Sequence, residues 1–301
     1  MDARISNLSQ IACMRRYTLD GGRGNGEHFI DCDNGKLRFI VNADKAADIS
    51  QMYFEGKNIS FVSKNGSVAE HLQFGRRFEG GMLYTCGLDD AGGRVGYEVH
   101  GTLHCTPSEI IHAECNDKEI VIEAIIRDTA LFGKNLVLKR RITSAVGSSS
   151  VKVRDILTNN GYMSTEYCIL YHVNVGYPML CEQARIEAEL DSFEPRTHYA
   201  LEKMSDMLDI TEPVPGQEET CYYLKLLKPE ISLYNSLEKK RFVLKYSKET
   251  LPCFIEWKSM ASGDYALGFE PSTTELDDRF GYNVLEPGQS VEFFVELGVY
   301  N

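Results

Sequence analysis

Three side chains stand where this sequence can do chemistry: His172, Asn174 and Glu270. In the run from Cys168 to Pro178, a strand's period of two puts Leu170, His172 and Asn174 on one face. Ile169, Tyr171, Val173 and Val175 take the other. An imidazole and a carboxamide therefore share a face whose reverse is apolar, and Gly176 and Pro178 close the strand just beyond them. The same alternation in Tyr265–Glu270 sets Tyr265, Leu267 and Phe269 against Ala266, Gly268 and Glu270. Small residues beside the carboxylate leave room for a ligand to lie against the sheet. A Glu and a His, each at a strand mouth on the polar face, form a candidate base and acid pair.

Other groups join them as candidate ligand contacts. His100, in Val99-His100-Gly101, is expected on the face of a strand opposite Val95, Tyr97 and Val99. His104 follows four residues on, but strand-then-turn context supplies no third ligand in register, so no metal site is expected. Arg76 and Arg77 lie in a glycine-flanked loop and offer planar donors for hydroxyls or a carboxylate. Lys258 adjoins Trp257, the single tryptophan and a possible platform for a sugar ring. The glycine-rich run at 21–26 lacks the Gly-Lys-Ser/Thr of a phosphate loop and reads as a turn.

These groups must be held by strands. Short strands recur at near-even spacing, separated by Asp, Asn, Gly and Ser clusters. They include a hairpin through Asp33-Asn34-Gly35, an edge strand near Met14–Tyr17, and Val95–His100. A short helix is expected near Leu201–Met207. The pattern predicts an all-β antiparallel sandwich, and 1–301 reads as one domain, with no repeat or linker.

Composition narrows the partners. With 32 Lys and Arg against 44 Asp and Glu, the formal charge of −12 disfavours nucleic acid and anionic membrane. No apolar run approaches a membrane span, and the leading residues lack the apolar core of a signal peptide. Nine cysteines, none in a Cys-x-x-Cys pair, suit free thiols in a reducing, cytoplasmic setting.

Taken together, several stretches give the chain its likeness. They are Gly80–Leu88, Val99-His100-Gly101, Tyr171–Pro178, Trp257-Lys258 and Leu267–Pro271. With them the sequence resembles the galactose mutarotase (aldose 1-epimerase) superfamily over nearly its whole length. The resemblance implies a large antiparallel supersandwich with a monosaccharide or sugar derivative bound in a cleft across one sheet. It implies that His172 is the general acid, Glu270 the general base, and His100 with Arg77 or Arg76 the sugar-holding groups. Anomers would interchange by ring opening. Glu270 takes the C1 hydroxyl proton while a charged His172 protonates the ring oxygen, and no cofactor is required. Asn174 would orient the ring or a hydroxyl. The sequence departs from the family pattern in having His100-Gly101-Thr102 for His-Gly-Gly and Tyr-His-Val-Asn around the acid. It also lacks a match for the family's sugar-contacting aspartate. Two alternatives stay open: a non-catalytic sugar-binding or regulatory protein, and a lyase or isomerase of an acidic sugar whose carboxylate meets Arg76 and Arg77.

Overall fold

Alternating apolar residues build antiparallel strands through most of the chain, arranged in three sheets. The computed structural model describes residues 3–301; Met1 and Asp2, at the head of the leading segment, lie outside them. A five-stranded sheet runs in chain order through Cys13–Thr18, His28–Asp33, Leu37–Asn42, Asp48–Phe54 and Lys57–Asn58. Cys13–Thr18 is its edge, where the edge strand was expected. The Asp33-Asn34-Gly35 hairpin is also present, with Gly35 at φ 88° and Asn34 Oδ1 accepting from the Leu37 N–H at 2.8 Å.

An eight-stranded sheet has at its centre Lys240–Tyr246, Ser290–Tyr300, Ser150–Asn159, Asn135–Ala145 and Glu119–Thr129. The third sheet orders Leu190–Pro195, Thr220–Leu226, Cys253–Ala261, Asp264–Ser272, Thr165–Gly176 and Asn283–Leu285, and Tyr84–Leu88 also pairs with Thr165–Gly176. One continuous apolar cluster joins all three sheets. Phe39 and Met52 enter it from the first, Ile142, Val153 and Phe293 from the second, and Tyr171, Val173 and Phe269 from the third. This is the sandwich that the alternation predicts: each sheet buries one apolar face against another.

A polar tie crosses that core. Arg140, fully buried, donates to both carboxylate oxygens of Asp155, to Asp48, to the Thr85 hydroxyl and to the Ala46 carbonyl. Tyr171 donates to Asp155 at 2.7 Å from the third sheet. Asp48 also takes the Nδ1 of His104 at 2.8 Å.

Two expectations change. The helix near Leu201–Met207 is a single turn at His198–Glu202 followed by a 3-10 turn at Met204–Asp206. Val95–His100 is a loop and not a strand. Gly92 and Gly93 lead into it, Gly96 interrupts it, and Val95 is fully exposed. The loop is pinned instead by Arg94, whose guanidinium lies 3.9 Å from the Phe280 ring centroid and 4.3 Å from that of Tyr97.

Candidate active site

Register places the imidazole and the carboxylate together. Thr165–Gly176 pairs with Asp264–Ser272 so that Val173 faces Phe269 and Asn174 faces Gly268. That sets His172 directly across from Glu270, where antiparallel neighbours bring their Cβ atoms to about 5 Å. His172 Nε2 lies 3.1 Å from Glu270 Oε1, and both residues are buried. The contact is close but not aligned as a hydrogen bond, so Glu270 Oε1 remains without a hydrogen-bond partner. Such geometry is common before substrate arrives.

Gly268 makes the approach possible. A Cβ there would stand 2.7 Å from Glu270 Oε1, 3.0 Å from His172 Cε1 and 3.2 Å from Trp257 Cε3. Trp257 forms the next wall, with its ring edge-on to His172 at 5.5 Å and its Nε1 donating to Glu219 at 2.7 Å. Phe74 and Phe78 close the opposite side. The whole is a cleft of about 650 Å³ whose lining includes His100, His172, Arg196, Glu219, Trp257 and Glu270.

His100 reaches the cleft by a bent backbone. Its φ of 65° is unusual for a residue with a side chain and persists only where the surroundings over-determine it. The ring is held by Nδ1 on the Ala91 carbonyl at 2.8 Å and stands edge-on to His172 at 5.5 Å. His100 lines the cleft.

Burial sets the charge of the pair. It pushes the Glu270 carboxyl up to about 8; Arg196 opposes this, while Glu219 and Glu256 add to it. Burial also holds His172 well below its ordinary value, aided by His100 and opposed by Asn174. Both shifts run toward the uncharged forms, a carboxyl that keeps its proton and an imidazole that does not gain one. They run against the charged histidine and ionised glutamate expected from the sequence. The proton count is unchanged, because either arrangement carries one proton between the two groups.

The remaining candidates divide. Asn174 lies beneath the floor, fully buried, with Nδ2 on the carbonyls of Gly81 and His172, so it is not part of the cleft lining. Its Oδ1 and the His172 Nδ1 are both buried without a partner. Arg77 is buried outside the lining, donating to Glu98 at 2.9 Å and to the Tyr84 hydroxyl at 3.1 Å. The turn Phe74–Arg77 directs Phe74 to the cleft and Arg77 away from it. Arg76 is exposed, and its carbonyl accepts from Arg23. Lys258 is also displaced, because alternation sends it to the face opposite Trp257. There its ammonium donates to the carbonyls of Asp206, Met207 and Asp209 at 2.7–3.0 Å.

The guanidinium in the cleft belongs to Arg196, held by Asp277 through Nε at 2.6 Å and Nη2 at 2.8 Å. Neither Arg196 nor Glu219 carries a local signal. Both follow from strand order in a stretch whose pattern is irregular.

Residues 24–299 match the family model for a domain of unknown function, DUF4432. This chain belongs to the DUF4432 family. No curated protein sequence matches it. The DUF4432 fold is shared with solved structures of low identity. A Klebsiella pneumoniae protein with a provisional aldose 1-epimerase name superimposes at TM-score 0.84 and 20% identity, over 95% of this chain and 83% of that one. A galactose mutarotase-like protein from Clostridium acetobutylicum gives TM-score 0.71 at 14% identity, over 97% and 99%. A galactose mutarotase related enzyme from Lactobacillus acidophilus gives 0.61 at 10%, over 91% and 97%. The likeness establishes for this DUF4432 chain the mutarotase-like sandwich.

Proposed function

We propose that this protein interconverts the anomers of a reducing sugar by opening and reclosing the ring. One observation carries the proposal: His172 and Glu270 meet at 3.1 Å in the floor of a cleft walled by aromatic rings. Ring opening needs one proton removed from the C1 hydroxyl and one delivered to the ring oxygen, and these atoms share a single carbon. Two adjacent groups with one proton between them can serve both, whichever holds it at the start. Closure on the other face of the carbonyl after rotation about C1–C2 yields the second anomer and returns the pair to its initial count. His100 and Arg196 supply donors for hydroxyls, and Trp257 a face for the ring. Phe74 and Phe78 narrow the water that can reach the pair.

Arg76 and Arg77, the pair on which the acidic-sugar alternative was argued, do not line the cleft. Glu270→Gln keeps shape and hydrogen-bonding capacity but cannot exchange the proton. Polarimetry of freshly dissolved aldoses should show the catalysed rate falling by about 10²-fold or more in that variant, with sugar binding retained. A variant as fast as the parent, or a parent that accelerates no reducing sugar, would reject the proposal.

A further inference from the structure

The cleft is longer than the proton transfers require. Around its inner end stand Phe78, His172 and Glu270; at its outer end are Ser259, Gln217 and the Lys64–Asp264 ion pair. The hairpin beneath it sets the scale, since across its strands Ile255 faces Glu270, Trp257 faces Gly268, Ser259 faces Ala266 and Ala261 faces Asp264. At about 3.3 Å per residue, Ser259 lies about 13 Å along the hairpin from Glu270, and Asp264 about 20 Å. One hexose seated with C1 at the His172–Glu270 pair ends short of Ser259. A second ring linked to it reaches that far.

The outer end has groups to meet such a ring. Ser259 is 7% exposed and Gln217 half-buried, and among the described residues neither side chain has a hydrogen-bond partner within the chain. The nearby cations are engaged, Lys64 by Asp264 at 2.7 Å and Arg196 by Asp277. Glu219 and Asp264 add negative charge to the wall. Free hydroxyl and amide groups without a free cation suit a neutral sugar.

We infer that the outer half of the cleft is a second saccharide subsite, and that the preferred substrate is the reducing end of a neutral disaccharide or longer glycan. This inference rests on the anomer-interconverting reading above, and binding and turnover separate the two. Calorimetric titration of the wild-type protein compares lactose, maltose and cellobiose with glucose, and mannobiose with mannose. At least one disaccharide should bind about tenfold tighter than its reducing-end hexose. Ser259→Leu, and separately Gln217→Ala, should each shrink that ratio about fivefold. Equal affinities throughout, or a ratio unchanged in both variants, overturns the subsite. Polarimetry asks the other question. Tighter disaccharide binding without faster anomer exchange would retain the subsite and reject the isomerase reading. Faster exchange of hexoses and disaccharides alike, with equal affinities, would do the reverse.

Discussion

At position 270 the protonation of one carboxyl decides what the site can do near neutral pH. Burial raises Glu270 to about 8 and holds His172 well below its usual value, which favours a proton kept on the carboxyl near neutral pH. Catalysis that needs that proton should be level near pH 7 and fall as pH rises through about 8. An ordinary glutamate base would instead gain activity through its usual carboxylate range and show no upper limb from this group. Rate–pH profiles of catalysed anomerisation distinguish the two, and a rate still climbing at pH 9 counts against the buried acid.

The same shift bears on stability. A group whose folded pKa is raised stabilises below its unfolded value and loses that contribution as pH rises through the folded one. Glu270→Gln cannot ionise in the buried site, so its melting temperature should exceed that of the parent at pH 8.5, with the gap closing toward pH 5. A gap independent of pH would show that Glu270 ionises freely.

At the scale of elements, the site depends on two strands held in one register and on the absence of a side chain between them. Gly268→Ala places a methyl against Glu270 Oε1 and His172 Cε1. The first of these ends a flexible side chain, so the fold should survive while the carboxyl swings aside. A displacement of this kind is expected to cost about 10²-fold in rate, with the melting temperature within a few degrees of the parent. Equal losses of rate and fold would mean that Gly268 serves the strand and not the pair.

The faces of these strands were legible in the sequence. Val173 and Val175 do enter the core, as do Leu267 and Phe269, and His172 and Glu270 stand on the opposite face, because a period of two admits one solution once one face is apolar. Which strands neighbour one another was not legible, since pairing of distant segments leaves no mark in either. Arg77 illustrates the limit. A glycine-flanked Arg-Arg looks available in sequence, and a single helical turn decides which of the two is buried. Lys258 was open to the same alternation that placed Trp257: adjacent residues on a strand cannot share a wall.

Across the whole molecule, Arg140 couples the three sheets. Its partners Asp155, Asp48 and Thr85 come from three different strands, and Asp155 is shared with Tyr171, the residue immediately before His172. Burial pushes the Asp48 carboxyl up, but the Arg140 charge and the His104 hydrogen bond outweigh it, and the net effect is a lowered pKa. Removing the arginine strands two buried carboxylates, which is the costly way to break such a tie. Arg140→Met should therefore destabilise the protein by about 3–5 kcal/mol in urea titrations at pH 7. The loss should shrink as pH falls toward 5, because Asp48, whose carboxyl Arg140 holds low, then takes up a proton and no longer carries charge in the core. Adding Asp155→Leu should recover part of the loss, since the two changes share a network and their effects do not sum. A pH-independent loss, or a double variant weaker than the sum of both singles, would assign the stability to packing around position 140. The predicted recovery would place the stability in the charge balance that anchors the strand carrying His172.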